Sequence, residues 1–275
     1  MNDINTMYLE LLKNVLSDYH RIDRGEYKPL YRNHAGARRL PIMLVDKFMR
    51  KMDYAVCKYS KFKKEDRQVG KDWPAYAETM IGIKRLNNIQ KCAEDIFKNN
   101  IPGDFIETGV WRGGSTIFMK AMMKVHGVND KIVWVADSFE GLPRPDDKYA
   151  ADKGDKLFMF EELAIPMEVV KQNFEKYNLL DENVKFLKGW FKDTLHKAPI
   201  ERLSLLRLDG DLYESTMDAL VPLYPKLSPG GYIIIDDYGT IEACKLAVHD
   251  YREKHGITEE IIPIDWSGVY WQKRS

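Results

Sequence analysis

Leu205-Leu206-Arg207-Leu208-Asp209-Gly210-Asp211-Leu212-Tyr213 is an apolar run that stops at two carboxylates. A second run, Tyr232-Ile233-Ile234-Ile235-Asp236-Asp237-Tyr238, ends the same way about one helix later. Continuous Leu/Ile runs are the mark of parallel strands buried on both faces, and open α/β sheets bind ligands outside the carboxyl ends of such strands. Two neighbouring strands would bring Asp209, Asp211, Asp236 and Asp237 to one rim. Carboxylates crowded there raise one another's pKa and lose hydration, so they need a partner. A hard divalent cation, Mg2+ or Ca2+, is the simplest one. The competing explanation is that the aspartates cap the helices that follow, although capping needs only one carboxylate per helix.

Outward from these runs, the chain beyond residue 75 alternates strand and helix, the pattern of a parallel sheet. Strands are expected at residues 104–108, 132–137, 184–187, 204–208 and 232–235, with helices at 76–99, 115–126, 167–177, 215–227 and 241–254. A β-rich piece, Val269-Tyr270-Trp271, is expected to close one edge. The segment from Pro143 through Asp147 and on to Lys156 is a long polar loop, and loops of that length in compact domains are usually functional. It reads as part of an active-site cover.

Residues 1–75 read as a helical N-terminal extension, a lid or an oligomer arm, on a main domain of residues 76–275. Helices are expected at 6–19, with Thr6 as N-cap, and at 41–54, with Pro41 in the first turn. Between Arg21 and Asp72, fifteen Lys/Arg face seven Asp/Glu with aromatics between them. Such a patch can touch phosphate, but a solvated helical face and a mobile loop over 58–64 explain it more simply.

A chain of 275 residues is long enough for one large α/β domain. Its 42 basic and 42 acidic side chains balance, so no net charge draws it to nucleic acid or to a membrane. No apolar run approaches the ~20 residues of a transmembrane helix. The N-terminus lacks a secretory layout. Cys57, Cys92 and Cys244 stand far apart, which argues against zinc and against a disulfide framework. The expected setting is the cytoplasm.

The strand at 104–108 runs into Gly109-Val110-Trp111-Arg112-Gly113-Gly114-Ser115 and then a helix. Glycines there let a ligand approach the backbone, and the helix start offers free N–H groups. The spacing is G-x-x-x-G-G, not the G-x-G-x-x-G of dinucleotide binders. Glu107 at the strand end suits an α-amino group and would repel a pyrophosphate, while Asp137 sits where a carboxylate grips ribose hydroxyls. Either could instead be a cap or a surface ion pair. Ammonium, sulfonium and ribose fit these acids better than phosphates do, which favours S-adenosylmethionine over a nicotinamide cofactor.

Longer motifs carry a family resemblance. Residues 107–114 (ETGVWRGG), 136–143 (ADSFEGLP), 189–194 (GWFKDT) and 207–216 (RLDGDLYEST) resemble the macrocin/mycinamicin-type sugar O-methyltransferases, which include the novobiocin-related enzymes. Ser228-Pro229-Gly230-Gly231-Tyr232, the Asp236-Asp237-Tyr238 stretch and Thr79-Met80-Ile81-Gly82 match as well. The resemblance covers the chain from about residue 70 to its end and is looser in the N-terminal helix. It implies a class I methyltransferase fold: a Rossmann-like, doubly wound sheet of seven strands, mostly parallel, with an antiparallel last strand. It also implies dependence on S-adenosylmethionine and Mg2+, and a deoxysugar acceptor on a glycosylated natural product. By position, Asp209, Asp236 and Asp237 match the metal ligands and Asp211 the general base. Glu107 and Gly109 match the methionine-end contacts, Asp137 and Ser138 the ribose contacts, and Trp190 and Phe191 fall at the adenine; Thr108, Ser115 and Asp209 are also expected to bind the cofactor. A homo-oligomer is expected. A catechol-like phenol would chelate the ion as a sugar diol does, and only the resemblance favours the sugar. A nicotinamide oxidoreductase and a non-catalytic scaffold are the remaining alternatives, opposed by the glycine spacing and by the complete set of four aspartates.

Overall fold

A computed structural model describes residues 3–21, 26–30, 39–61 and 63–274. An antiparallel pair, β1 (Glu26–Pro29) and β2 (Cys57–Ser60), stands apart from a sheet of β3 (Asp104–Thr108), β4 (Val133–Asp137), β5 (Val184–Lys188), β6 (Leu203–Leu208), β7 (Leu227–Ile235), β8 (Ile262–Pro263) and β9 (Val269–Gln272). The helices are α1 (Asp3–Leu16), α2 (Arg39–Arg50), α3 (Lys64–Gln68), α4 (Ile83–Lys98), α5 (Gly114–Val125), α6 (Met167–Lys176), α7 (Phe191–Thr194), α8 (Tyr213–Leu223) and α9 (Glu242–Lys254).

The sheet order is β5-β4-β3-β6-β7-β9-β8. Pairing is parallel from β5 through β7, and β9 runs antiparallel to both β7 and β8. Strand β3 has its successor β4 on one side and β6 on the other, so the chain reverses direction across the sheet there and opens a ligand crevice. The C-terminal strand is second from the edge, because Ile262–Pro263 pairs along its outer side.

Alternation along each strand divides the side chains between two cores. Phe105, Val133, Val135, Leu205 and Ile234 face one, and Ile106, Trp134, Ala136, Leu206, Leu208, Ile233 and Ile235 face the other. Each fully buried aliphatic side chain contributes roughly 1.5–3 kcal/mol relative to exposure, which is why these strands read as unbroken apolar runs.

Several expected boundaries move. Helix α1 starts at Asp3, so Thr6 lies inside it. Leu9, Leu12 and Leu16 join the first core, which fuses the expected N-terminal extension to the main body at its first helix. Helix α4 starts at Ile83 and not near residue 76, because the N–H groups of Glu78 and Thr79 donate to the Leu16 carbonyl at the end of α1. The expected loop at 58–64 contains the end of β2 and the start of α3; Phe62 lies outside the described residues, as do 22–25 and 31–38 of the basic stretch. Among the described residues no helix is long and apolar enough to cross a membrane.

Candidate active site

Register puts the critical strand ends level. Thr108 pairs with Leu208 and Leu208 with Ile235, so Gly109, Asp209 and Asp236 leave the sheet side by side. The Asp209 N–H donates to the Thr108 carbonyl and the Asp236 N–H to the Leu208 carbonyl, each at 2.9 Å. Asp209, Asp236 and Asp237 each offer one carboxylate oxygen, and these oxygens lie within 4.8 Å of one another.

One residue earlier, Glu107 on β3 pairs across the ladder with Arg207 on β6. The Arg207 guanidinium, fully buried, donates to Glu107, to Asp236 and, at 2.9 Å, to Asp209. Arg85 of α4 donates to the other oxygen of Asp236 and, at 2.9 Å, to Asp265. Two guanidiniums thus serve four carboxylates, Glu107, Asp209, Asp236 and Asp265, while Asp211 and Asp237 add their charge beside them. Burial, reinforced by the charges of Asp209 and Asp236, pushes Asp211 up to about 8. Burial together with Asp211 and Asp209 holds Asp237 well above the usual carboxylate range. Burial and then Asp236 raise Asp209 to about 6 against the opposing pull of Arg207. A surplus of partly buried negative charge at protein oxygens is the environment a hard cation relieves. Asp236 already accepts a guanidinium on each oxygen, and the second lone pair of each remains available. The donor set fits Mg2+.

Three turns at the strand ends hold non-glycine residues in left-handed backbone: Trp111 (φ 49°) after β3, Phe139 (φ 59°) after β4 and Asp211 (φ 58°) after β6. Bulky residues there are outliers, and such strain concentrates at functional sites. At Asp211 the turn is tight, with the Leu212 N–H donating to the Gly210 carbonyl at 2.6 Å and the Asp211 N–H to Asp237 Oδ2 at 3.3 Å. Gly109 (φ 83°) is required beside it, since a Cβ there would lie 1.7 Å from the Asp209 carbonyl oxygen.

These turns surround a half-open cavity of about 100 Å³, concave and largely apolar with a few convergent polar groups, as small-molecule sites are. Gly109, Asp137, Ser138, Trp190, Phe191, Asp209 and Asp211 all line it. Asp137 also braces its own rim, accepting the Val110 N–H at 2.8 Å and the Phe139 N–H at 2.7 Å. Glu107, Thr108 and Ser115 do not reach the cavity. They are buried beneath its floor, where the Ser115 hydroxyl donates to Glu107, and burial pushes Glu107 up to about 7 despite Arg207. Asp236 and Asp237 stand next to the cavity wall through Arg207 and the Asp211 turn and do not line it.

Of the segment expected as a cover, residues 143–156, Pro143 lines the cavity, and Leu142 before it and Leu163 beyond it line the cavity as well. The Trp111 indole N–H donates to the Glu162 carbonyl at 2.9 Å, and Asp152 binds the start of α8. Sequence reasoning missed Arg85, Asp152 and the role of Arg207. For Arg207 a signal existed, since an arginine inside a fully buried strand requires carboxylate partners.

Comparison with known proteins shows the family and the fold. The chain matches the family model described as macrocin-O-methyltransferase (TylF) over residues 5–273. It is 56% identical over 216 residues to the demethyldecarbamoylnovobiocin O-methyltransferase of Streptomyces niveus, covering 78% of this chain and 82% of that protein. It is 55% identical over 210 residues to the 8-demethyl-8-(2,3-dimethoxy-alpha-L-rhamnosyl)-tetracenomycin-C 4'-O-methyltransferase of Streptomyces olivaceus, covering 76% and 80%. The solved structure of the O-methyltransferase NovP is similar with a TM-score of 0.84 at 46% identity, over 98% of this chain and 100% of that one. The chain belongs to the macrocin O-methyltransferase family, an O-methyltransferase on a mostly parallel seven-stranded methyltransferase fold.

Proposed function

We propose that this enzyme moves the methyl group of S-adenosylmethionine to a hydroxyl of a sugar carried by a natural product, with Mg2+ at the strand-end carboxylates. The observation that carries the reading is the cluster of Asp209, Asp236 and Asp237 standing level with Gly109 at the edge of the cavity. The sugar acceptor is supported by a relative whose name specifies methylation on a rhamnosyl-bearing compound.

In this reading the cavity holds the methyl donor. Asp137 and Ser138 meet the ribose hydroxyls, Trp190 and Phe191 flank the adenine, and the Gly109 backbone lies against the methionine end. Glu107, held by the Ser115 hydroxyl, adds negative charge from beneath that end, next to buried Thr108, and steadies Arg207. The sulfonium methyl is intrinsically reactive, so the residues act chiefly by alignment. Bound Mg2+ would supply Lewis acidity to two vicinal acceptor oxygens. Asp211 accepts the hydroxyl proton as the new C–O bond forms and the C–S bond breaks, leaving S-adenosylhomocysteine.

The test is transfer of labelled methyl from S-adenosylmethionine to 6-deoxyhexose glycosides with free vicinal hydroxyls, with Mg2+ or with chelator. Transfer in Mg2+ and none in chelator is expected. Transfer that persists in chelator would remove the metal from the reading, and transfer to catechols alone would reassign the acceptor.

A further inference from the structure

The cavity cover and the turn carrying Asp211 meet at one buried side chain. Asp152 lies in the cover, in a short 3-10 turn at Ala150–Asp152, and is 1% exposed. Its Oδ1 accepts the Tyr213 N–H at 2.7 Å and its Oδ2 the Glu214 N–H at 3.0 Å. These are the first two residues of α8, whose own N-cap residue is Leu212, a side chain with no acceptor. The helix is therefore capped from a distance, and a carboxylate is the favoured group at that end. Asp211 stands two residues ahead of Tyr213, at the centre of the tight turn closed by the Leu212 N–H. Left-handed backbone at a non-glycine residue persists only where its surroundings over-determine it. The ring of Tyr149, next to the 3-10 turn, also packs on that of Tyr213, with centroids 5.7 Å apart.

We infer that Asp152 is a positioning residue for the transfer: its carboxylate completes the cap of α8 and thereby holds Asp211 where it can take the acceptor proton. Without that carboxylate, α8 loses its cap and the Gly210-Asp211-Leu212 turn loses its anchor. This rests on the reading of Asp211 given above.

The experiment is a double-mutant cycle on the full chain, reading kcat, the KM for S-adenosylmethionine and S-adenosylhomocysteine affinity. Asp152→Ala is expected to lower kcat by about tenfold or more, a part of the 10²–10⁴-fold that a general base typically provides. S-adenosylhomocysteine affinity should stay within about threefold, since the Trp111–Glu162 contact still holds the cover. Asp152→Asn, which retains one acceptor oxygen, should fall between wild type and alanine. Asp146→Ala, an exposed change within the same loop, should leave kcat unchanged. In an Asp211→Asn background, Asp152→Ala should cost nothing further, because residues acting through one step are not additive. The cycle is run with Asp152→Asn as well, so an alanine variant that fails to fold does not decide the matter. Undiminished kcat in the Asp152 variants, or losses that multiply in the double mutants, would overturn the inference while leaving the base reading intact. Undiminished turnover in Asp211→Asn alone would remove the base reading, and this inference with it.

Discussion

Arg207 shows how much of the site depends on one side chain. It lies within an apolar strand, opposite Glu107, and a cross-strand ion pair there has no water to share its charge. Its guanidinium reaches Glu107, Asp209 and Asp236 at once, and so fixes the separation of two candidate metal ligands. Arg207→Met would leave three carboxylates without that partner. Removing one member of a buried ion pair costs about 3–5 kcal/mol, and a loss of that size is expected in denaturant unfolding. A loss below about 1 kcal/mol would mean that water reaches the network and that the pair is not dry. The arginine was visible in the sequence as a charge inside a Leu run. Its partners were not, because they depend on which strands become neighbours and in what register.

Among the elements, the β3–α5 turn carries the sharpest steric constraint. Gly109 adopts φ 83° with the Asp209 carbonyl packed where a Cβ would stand. Left-handed backbone costs an L residue roughly 1–2 kcal/mol, and the overlap with a backbone oxygen adds to that. Gly109→Ala should push β3 and β6 apart at their ends, and calorimetry should find S-adenosylhomocysteine affinity reduced by at least tenfold. Unchanged affinity would mean that the strand ends can separate without disturbing the cavity. The strands themselves were legible because each contributes side chains to two dry cores, which demands unbroken apolar runs. The helix starts were less so. Helix α4 begins later than its periodicity suggests, since Glu78 and Thr79 are tied to the end of α1. The link between the cover and α8 was invisible for a similar reason: Asp152 caps a helix some sixty residues away, and side chain to backbone bonds leave no periodic trace.

At the scale of the whole molecule, the acidic rim ties stability to pH and to cation. Acids whose folded pKa lies above the unfolded value bind more protons when folded, so stability falls as pH rises through that interval. For Glu107, Asp209 and Asp211 the interval begins in the ordinary carboxylate range and ends at about 7, about 6 and about 8, and Asp237 is shifted in the same direction. In chelator, the melting temperature should therefore decline from about pH 5 to about pH 8, and Mg2+ should offset the decline by binding the ionised carboxylates. A melting temperature that rises over that interval in chelator would contradict the uncompensated burial. Homo-oligomerisation has its support in exposed apolar residues of the N-terminal helices, Ile4, Met7 and Leu11 on α1 and Leu44 and Phe48 on α2. Light scattering should find more than one chain per particle, and a monomer at micromolar concentration would remove that expectation. The central claim, that a metal rim and a donor cavity stand side by side and meet at Asp209, is tested most directly by calorimetry on the wild type and on Asp237→Asn. Mg2+ is titrated into each protein, and S-adenosylhomocysteine into each. Mg2+ should bind the wild type with release of protons and fail to bind the variant, while S-adenosylhomocysteine binds both; Mg2+ binding that survives the substitution, or S-adenosylhomocysteine binding to neither protein, would contradict the account.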